Sequence, residues 1–103
     1  MRYAATGAII LLPIAALANA AHPAVLKGAR LAPQAKVTLA TARTAALKVR
    51  PGVITDQELE RESGGSGLRY SFDIKSARRT YEVGIDAKTG AVLENSAEGA
   101  YPD

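Results

Sequence analysis

Asp56, Glu58, Glu60 and Glu62 alternate along one side of an extended segment. A row of carboxylates is the ligand chemistry of hard cations such as Ca²⁺, and two of its members have the residue type of a glycosidase pair. Side chains two apart on a strand, however, diverge along a line instead of closing a cage. The row is therefore read as a solvated face paired with Arg69, Lys75 or Arg79 on the next strand, each pair contributing only ~0.2–1 kcal/mol. Nothing else in the chain suggests a sugar cleft. The single histidine, His22, offers a second chemistry. If the chain is cut before Ala21, the free amine of Ala21, the intervening amide and the His22 imidazole form a possible Cu²⁺ chelate. The alternative is a terminal residue without a ligand, and with no Cys and no Met after residue 1 no metal or cofactor is assigned. Nucleophilic catalysis is not supported either. Ser63, Ser66, Ser71, Ser76 and Ser96 lack a base placed by any recognisable motif, so the chain is read as a non-enzyme.

Charge narrows the partners. The formal net charge is +3, and the basic residues are interleaved with Asp and Glu along the chain. A nucleic-acid reader concentrates basic charge on one face and adds stacking aromatics. Here Tyr70, Phe72 and Tyr81 fall on a side expected to face inward, and no nucleic-acid partner is assigned.

The residues before this chemistry look like an export leader. Met1-Arg2 is a minimal positive start, Ala4 to Ala18 is almost wholly apolar, and Ala18-Asn19-Ala20 has the small residues of a cleavage site. The run is broken by Pro13 and falls short of the ~20 residues that a spanning helix needs. The expectation is a signal peptide over residues 1–20, cut after Ala20, a periplasmic or secreted product and no stable membrane span afterwards. Removing 20 of the 103 residues leaves one small domain, and removing Arg2 lowers the charge to +2. Without cysteine no disulfide can staple it. Its stability must come from one helix on one sheet, helped by a partner or a second copy.

Residues 21–37 are Ala-rich with Pro23, Gly28 and Pro33 and keep no period, so a weakly ordered segment is expected, with at most a helical turn over Val25 to Leu31. From Thr38, a plausible N-cap, the period becomes helical: Leu39, Ala42, Ala45, Ala46 and Val49 share one face. Short alanines permit close approach to a sheet, and Arg43 is expected at the margin with its stem packed and its head wet. Pro51-Gly52 stops the helix. Val53 to Glu62 reads as a strand with Val53 and Leu59 inward. Ser63 to Gly67 reads as a flexible loop. Leu68, Tyr70, Phe72 and Ile74, then Tyr81, Val83 and Ile85, build one apolar face twice, with a turn between. Asp86 to Gly90 has turn chemistry at both ends, and Ala91 to Leu93 is a short last strand before a flexible tail over residues 95–103. Valine is expected to be tolerated less well at Gly90, in a positive-φ turn, than at Gly65 in the loop.

Several of these residues together resemble a known family. Ala42-x-x-x-Ala46-Leu47 on a helix, the Pro51-Gly52 exit, the acidic strand Glu58-Leu59-Glu60-Arg61-Glu62, the strand Tyr70 to Ile74, the strand Tyr81 to Asp86 and the run Asp86 to Glu94 look like a PepSY domain, the module of thermolysin-type protease propeptides and of small exported bacterial proteins. The likeness covers residues 38–94. It implies an α+β fold, one main helix on an antiparallel sheet of three to four strands, with no catalytic residues to carry over. It also implies a role in binding or restraining a protease. No protease domain follows Asp103 in this sequence, so a separate protease is the expected partner. The expected mechanism is strand addition at a sheet edge, with the edge strand left open by the sequence. The competing expectation is a structural or sensory envelope module, acting by self-association as a homo-oligomer or by docking on a partner complex.

Overall fold

The computed structural model describes residues 25–99. The expected leader, its cleavage site and the Ala21–His22 pair lie outside the described residues, as does the chain from residue 100. After a 3-10 helix at Ala29–Gln34, the chain forms helix α1 (Leu39–Val49) and strands β1 (Val53–Arg61), β2 (Leu68–Ser76), β3 (Arg79–Asp86) and β4 (Val92–Ala97). The strands make one antiparallel sheet in the order β1-β2-β3-β4. The α1 helix crosses β2, β3 and β4 on one face, which is the expected α+β architecture.

Helix α1 begins where its cap dictates. Thr38 has extended backbone, and its Oγ1 accepts the Thr41 N–H at 3.1 Å, satisfying one of the orphan donors of the first turn. Ala42 and Ala46 are wholly buried, so α1 approaches closely enough for Phe72, Ile74, Val83 and Ile85 to fill the space beneath it. The helix ends before Pro51. There Asn95 of β4 takes over: its Nδ2 donates to the Val49 carbonyl at 3.2 Å, and its Oδ1 accepts from Arg50 Nε at 3.0 Å. The Arg50 guanidinium in turn lies 3.7 Å from the ring centroid of Tyr81, a cation–π contact that covers a half-buried aromatic.

The β2–β3 register pairs Phe72 with Val83 and Tyr70 with Ile85, so the alternation in the two strands meets on one side as expected. Four details differ from the sequence expectation. Val49 is exposed although the helical period places it on the face of Ala42 and Ala46. Val53 is also exposed, and Ile54 is buried in its place, because the β1 register shifts between Ile54 and Asp56 and an extra residue reverses the alternation. Gln57 lies inward beside Leu59, on the side opposite the acidic row. Its Oε1 accepts from Arg43 Nη1 at 2.6 Å, so the Arg43 head is buried and hydrogen-bonded, not wet.

The remaining differences lie at the two ends and in the loop. Residues 25–37 are built into the fold: Lys27 bridges to Glu58, donating its N–H to Gln57 O at 3.1 Å and accepting from Leu59 N at 2.8 Å. Leu31 is buried, and the N–H groups of Lys36 and Val37 both donate to the Ala87 carbonyl at 2.9 Å. At the other end, β4 continues to Ala97 where a tail was expected. The Ser63 to Gly67 loop is held by side chains, not loose: Ser66 N–H and Oγ donate to Asp86 at 2.6 and 2.8 Å, and Arg69 Nη2 donates to Ser63 O at 3.2 Å.

Candidate functional site

The face of the sheet opposite α1 has no covering element among the described residues. Alternation sends Asp56, Glu58 and Glu60 of β1 to it, Arg69, Ser71, Asp73 and Lys75 of β2, and Glu82 of β3. Glu94 and Ser96 of β4 complete it, opposite Gly84 and Glu82. Charges interleaved along the chain are thus sorted in space, with carboxylates collected on one surface. Of the expected row, Asp56, Glu58 and Glu60 share this face. Glu62 lies beyond β1, exposed, and does not join them.

The cross-strand pairing also departs from expectation. Arg69 stands opposite Glu60 in register, yet its Nη1 reaches across β3 to Glu94 Oε1 at 3.3 Å. It can do so because Gly84 intervenes: a Cβ there would stand 3.1 Å from Arg69 Nη1. Glu60 instead accepts the Ser71 hydroxyl at 2.7 Å. Asp56 pairs with Lys27 at 2.9 Å, an exposed contact of the kind that contributes little.

One group of carboxylates gathers with no salt bridge to a basic side chain among the described residues. Oxygen atoms of Asp73, Glu82 and Glu98 all lie within 4.8 Å of one another. Register explains it: Asp73 is opposite Glu82, and the Glu98 N–H donates to Thr80 O at 2.8 Å, which carries the chain end alongside β3. Burial, followed by the neighbouring charges of Glu94, Glu98, Asp73 and Glu60, pushes the Glu82 carboxyl up to about 6. Asp73 and Glu98 are raised in the same direction, first by burial and then by nearby carboxylates. Such a surface attracts protons and cationic groups. Among the serines, Ser66 donates to Asp86 and Ser71 to Glu60, so the hydroxyls serve as structural donors.

The two edges of the sheet are unequal. Lys27 occupies the middle of the β1 edge through its two backbone hydrogen bonds. Among the described residues, β4 pairs with β3 alone. The sequence hid both features. Asp73 and Glu82 show the right alternation, but the sequence pattern ends the last strand at Leu93, and the irregularity between Gly84 and Ile85 hides which of its residues share a side.

Among the described residues no helix is long and apolar enough to cross a membrane. Comparison with curated proteins and with solved structures gives no significant match. The sequence pattern of the family described as "Peptidase propeptide and YPEB domain", PepSY, matches residues 36–95. That span takes in α1 and β1 to β3 and runs into β4. It is more than half of the chain, and the protein belongs to the PepSY family.

Proposed function

We propose that this chain is an exported, non-enzymatic protein-binding module that restrains a protease of the cell envelope or the extracellular space. The family description ties the fold to peptidase propeptides, and such modules act by binding. The observation that carries the reading is the edge of β4, unpaired among the described residues, beside a sheet face that those residues leave uncovered. An edge strand offers backbone donors and acceptors to an extended segment, and main-chain hydrogen bonds supply the affinity. Export rests on the leader in residues 1–20. The test is to incubate the mature chain with metalloproteases of its own envelope and to follow activity together with complex formation. Inhibition with a stable complex is expected. Unchanged activity and no complex would remove the protease reading.

A further inference from the structure

We propose that β4 docks an extended segment of a partner protein carrying Lys or Arg at alternate positions. The inference rests on the protein-binding reading above and specifies the chemistry of the partner.

Two independent features of β4 converge. Its outer edge is unpaired among the described residues, whereas Lys27 already fills the middle of the β1 edge. A segment added there would lie about 4.7–4.9 Å from β4, with alternate side chains on the open face. On that face it would meet Glu94 and Ser96, with Glu98 just beyond the strand end. Ser96 is small and exposed and stands opposite Glu82. A long basic side chain placed beside Ser96 can therefore extend across it toward Glu82 and Asp73, where the grouped carboxylates form no salt bridge among the described residues and only the attraction of Lys27 reaches Asp73. The other alternate side chains of the segment fall on the α1 side.

Carboxylates on an edge strand have a protective role as well, since charge there blocks unwanted pairing. That role selects the occupant. Two copies joined β4 to β4 in a continuous antiparallel sheet would place both acidic faces on the same side, Glu94 and Glu98 of one against those of the other. Like charges set across strands are destabilising. A segment of opposite charge is admitted by the feature that rejects a second copy, as in interfaces that combine attraction with exclusion.

The probe is a synthetic twelve-residue peptide alternating Lys and Thr, titrated against the full chain by fluorescence anisotropy at low and at physiological salt. Binding that weakens with salt is expected, with no binding for the peptide in which Glu replaces each Lys. Methylating the backbone nitrogens that face β4 is expected to abolish binding while leaving every charge in place. The double variant Glu94→Gln, Glu98→Gln alters partly or fully exposed side chains and is expected to bind the Lys peptide about tenfold more weakly, with circular dichroism reporting an intact fold. Equal affinity for the Lys and Glu peptides, or full affinity for the methylated one, would overturn the proposal. Failure here is separable from failure of the protease reading. A double variant that inhibits a protease as potently as the parent chain removes this inference alone. Peptide binding as described without inhibition of any envelope protease supports the docking surface and removes the protease reading alone.

Discussion

Asp86 accepts two hydrogen bonds from Ser66, 20 residues earlier, one from its backbone N–H at 2.6 Å and one from its hydroxyl at 2.8 Å. The same buried carboxylate accepts from Lys88 N at 2.8 Å and Thr89 N at 3.1 Å. One side chain therefore fixes both the glycine-rich loop that enters β2 and the turn that leaves β3. Burial on its own would raise the Asp86 carboxyl, but these donors outweigh it and hold the group down at about 2. Because the native value lies below the unfolded one, this contribution is complete above about pH 4 and is lost as pH falls toward 2.

Replacing Asp86 by Ala should therefore be among the costliest changes outside the apolar core. It strands several donors around one site, and a loss of about 2–4 kcal/mol is expected from denaturant unfolding at pH 7. Ser66→Ala removes only the hydroxyl bond and should cost about 1 kcal/mol.

The glycine comparison reverses once this link is seen. Gly65 has φ of +56°, and a Cβ there would collide with Asp86 Oδ2 and lie 3.0–3.1 Å from the Leu93 methyl groups. Gly90 has the expected positive φ, +83°, but the nearest atom to an added Cβ is Val37 Cγ2 at 3.9 Å. Gly90→Val should cost about 1–3 kcal/mol from backbone strain, and Gly65→Val should cost more. Thermal melts of the two variants decide the order.

The β2–β3 hairpin keeps a correctable strain. Ala77, first of the two residues between Ser76 and Arg79, has φ of +58°, a conformation in which glycine is preferred in such turns. Ala77→Gly should raise stability by about 0.5–1 kcal/mol, read as an increase in melting temperature.

How much was legible in the sequence follows from the same residues. Strict alternation made Phe72, Ile74, Val83 and Ile85 readable as core, and α1 was readable from Thr38 and its alanine face. Phe72→Ala should cost ~3–5 kcal/mol, while Asp73→Ala, on the open face among like charges, should change stability by less than about 0.5 kcal/mol. What alternation cannot reveal is an interruption of itself. The extra residue in β1 exchanged Val53 for Ile54. Residues 25–37 were not legible because backbone bonds to β1 and to Ala87 hold them, with no hydrophobic period to betray it. For the open face, the β1 acids were visible as a row, but their meeting with Glu82, Glu94 and Glu98 depends on strand order and on the length of β4.

The open face should also show in the pH dependence of stability. Glu82 titrates near 6 in the folded protein against 4.5 when unperturbed. A raised native value means that its contribution is complete below about pH 4.5 and is lost as pH rises through 6. The domain should be more stable at pH 5 than at pH 7.5, by under about 1 kcal/mol after solvent screening. Glu82→Gln should flatten that part of the profile. An equal slope in the variant would assign the dependence to other groups.

Amide hydrogen exchange, recorded for the chain alone and in complex with an envelope protease of the kind proposed as its partner, tests the central claim most directly. The expected result is slowed exchange concentrated in Leu93 to Ala97 of β4, with exchange in α1 little changed. A stable complex in which protection falls on α1, and β4 exchanges as it does in the free chain, would contradict docking at this edge.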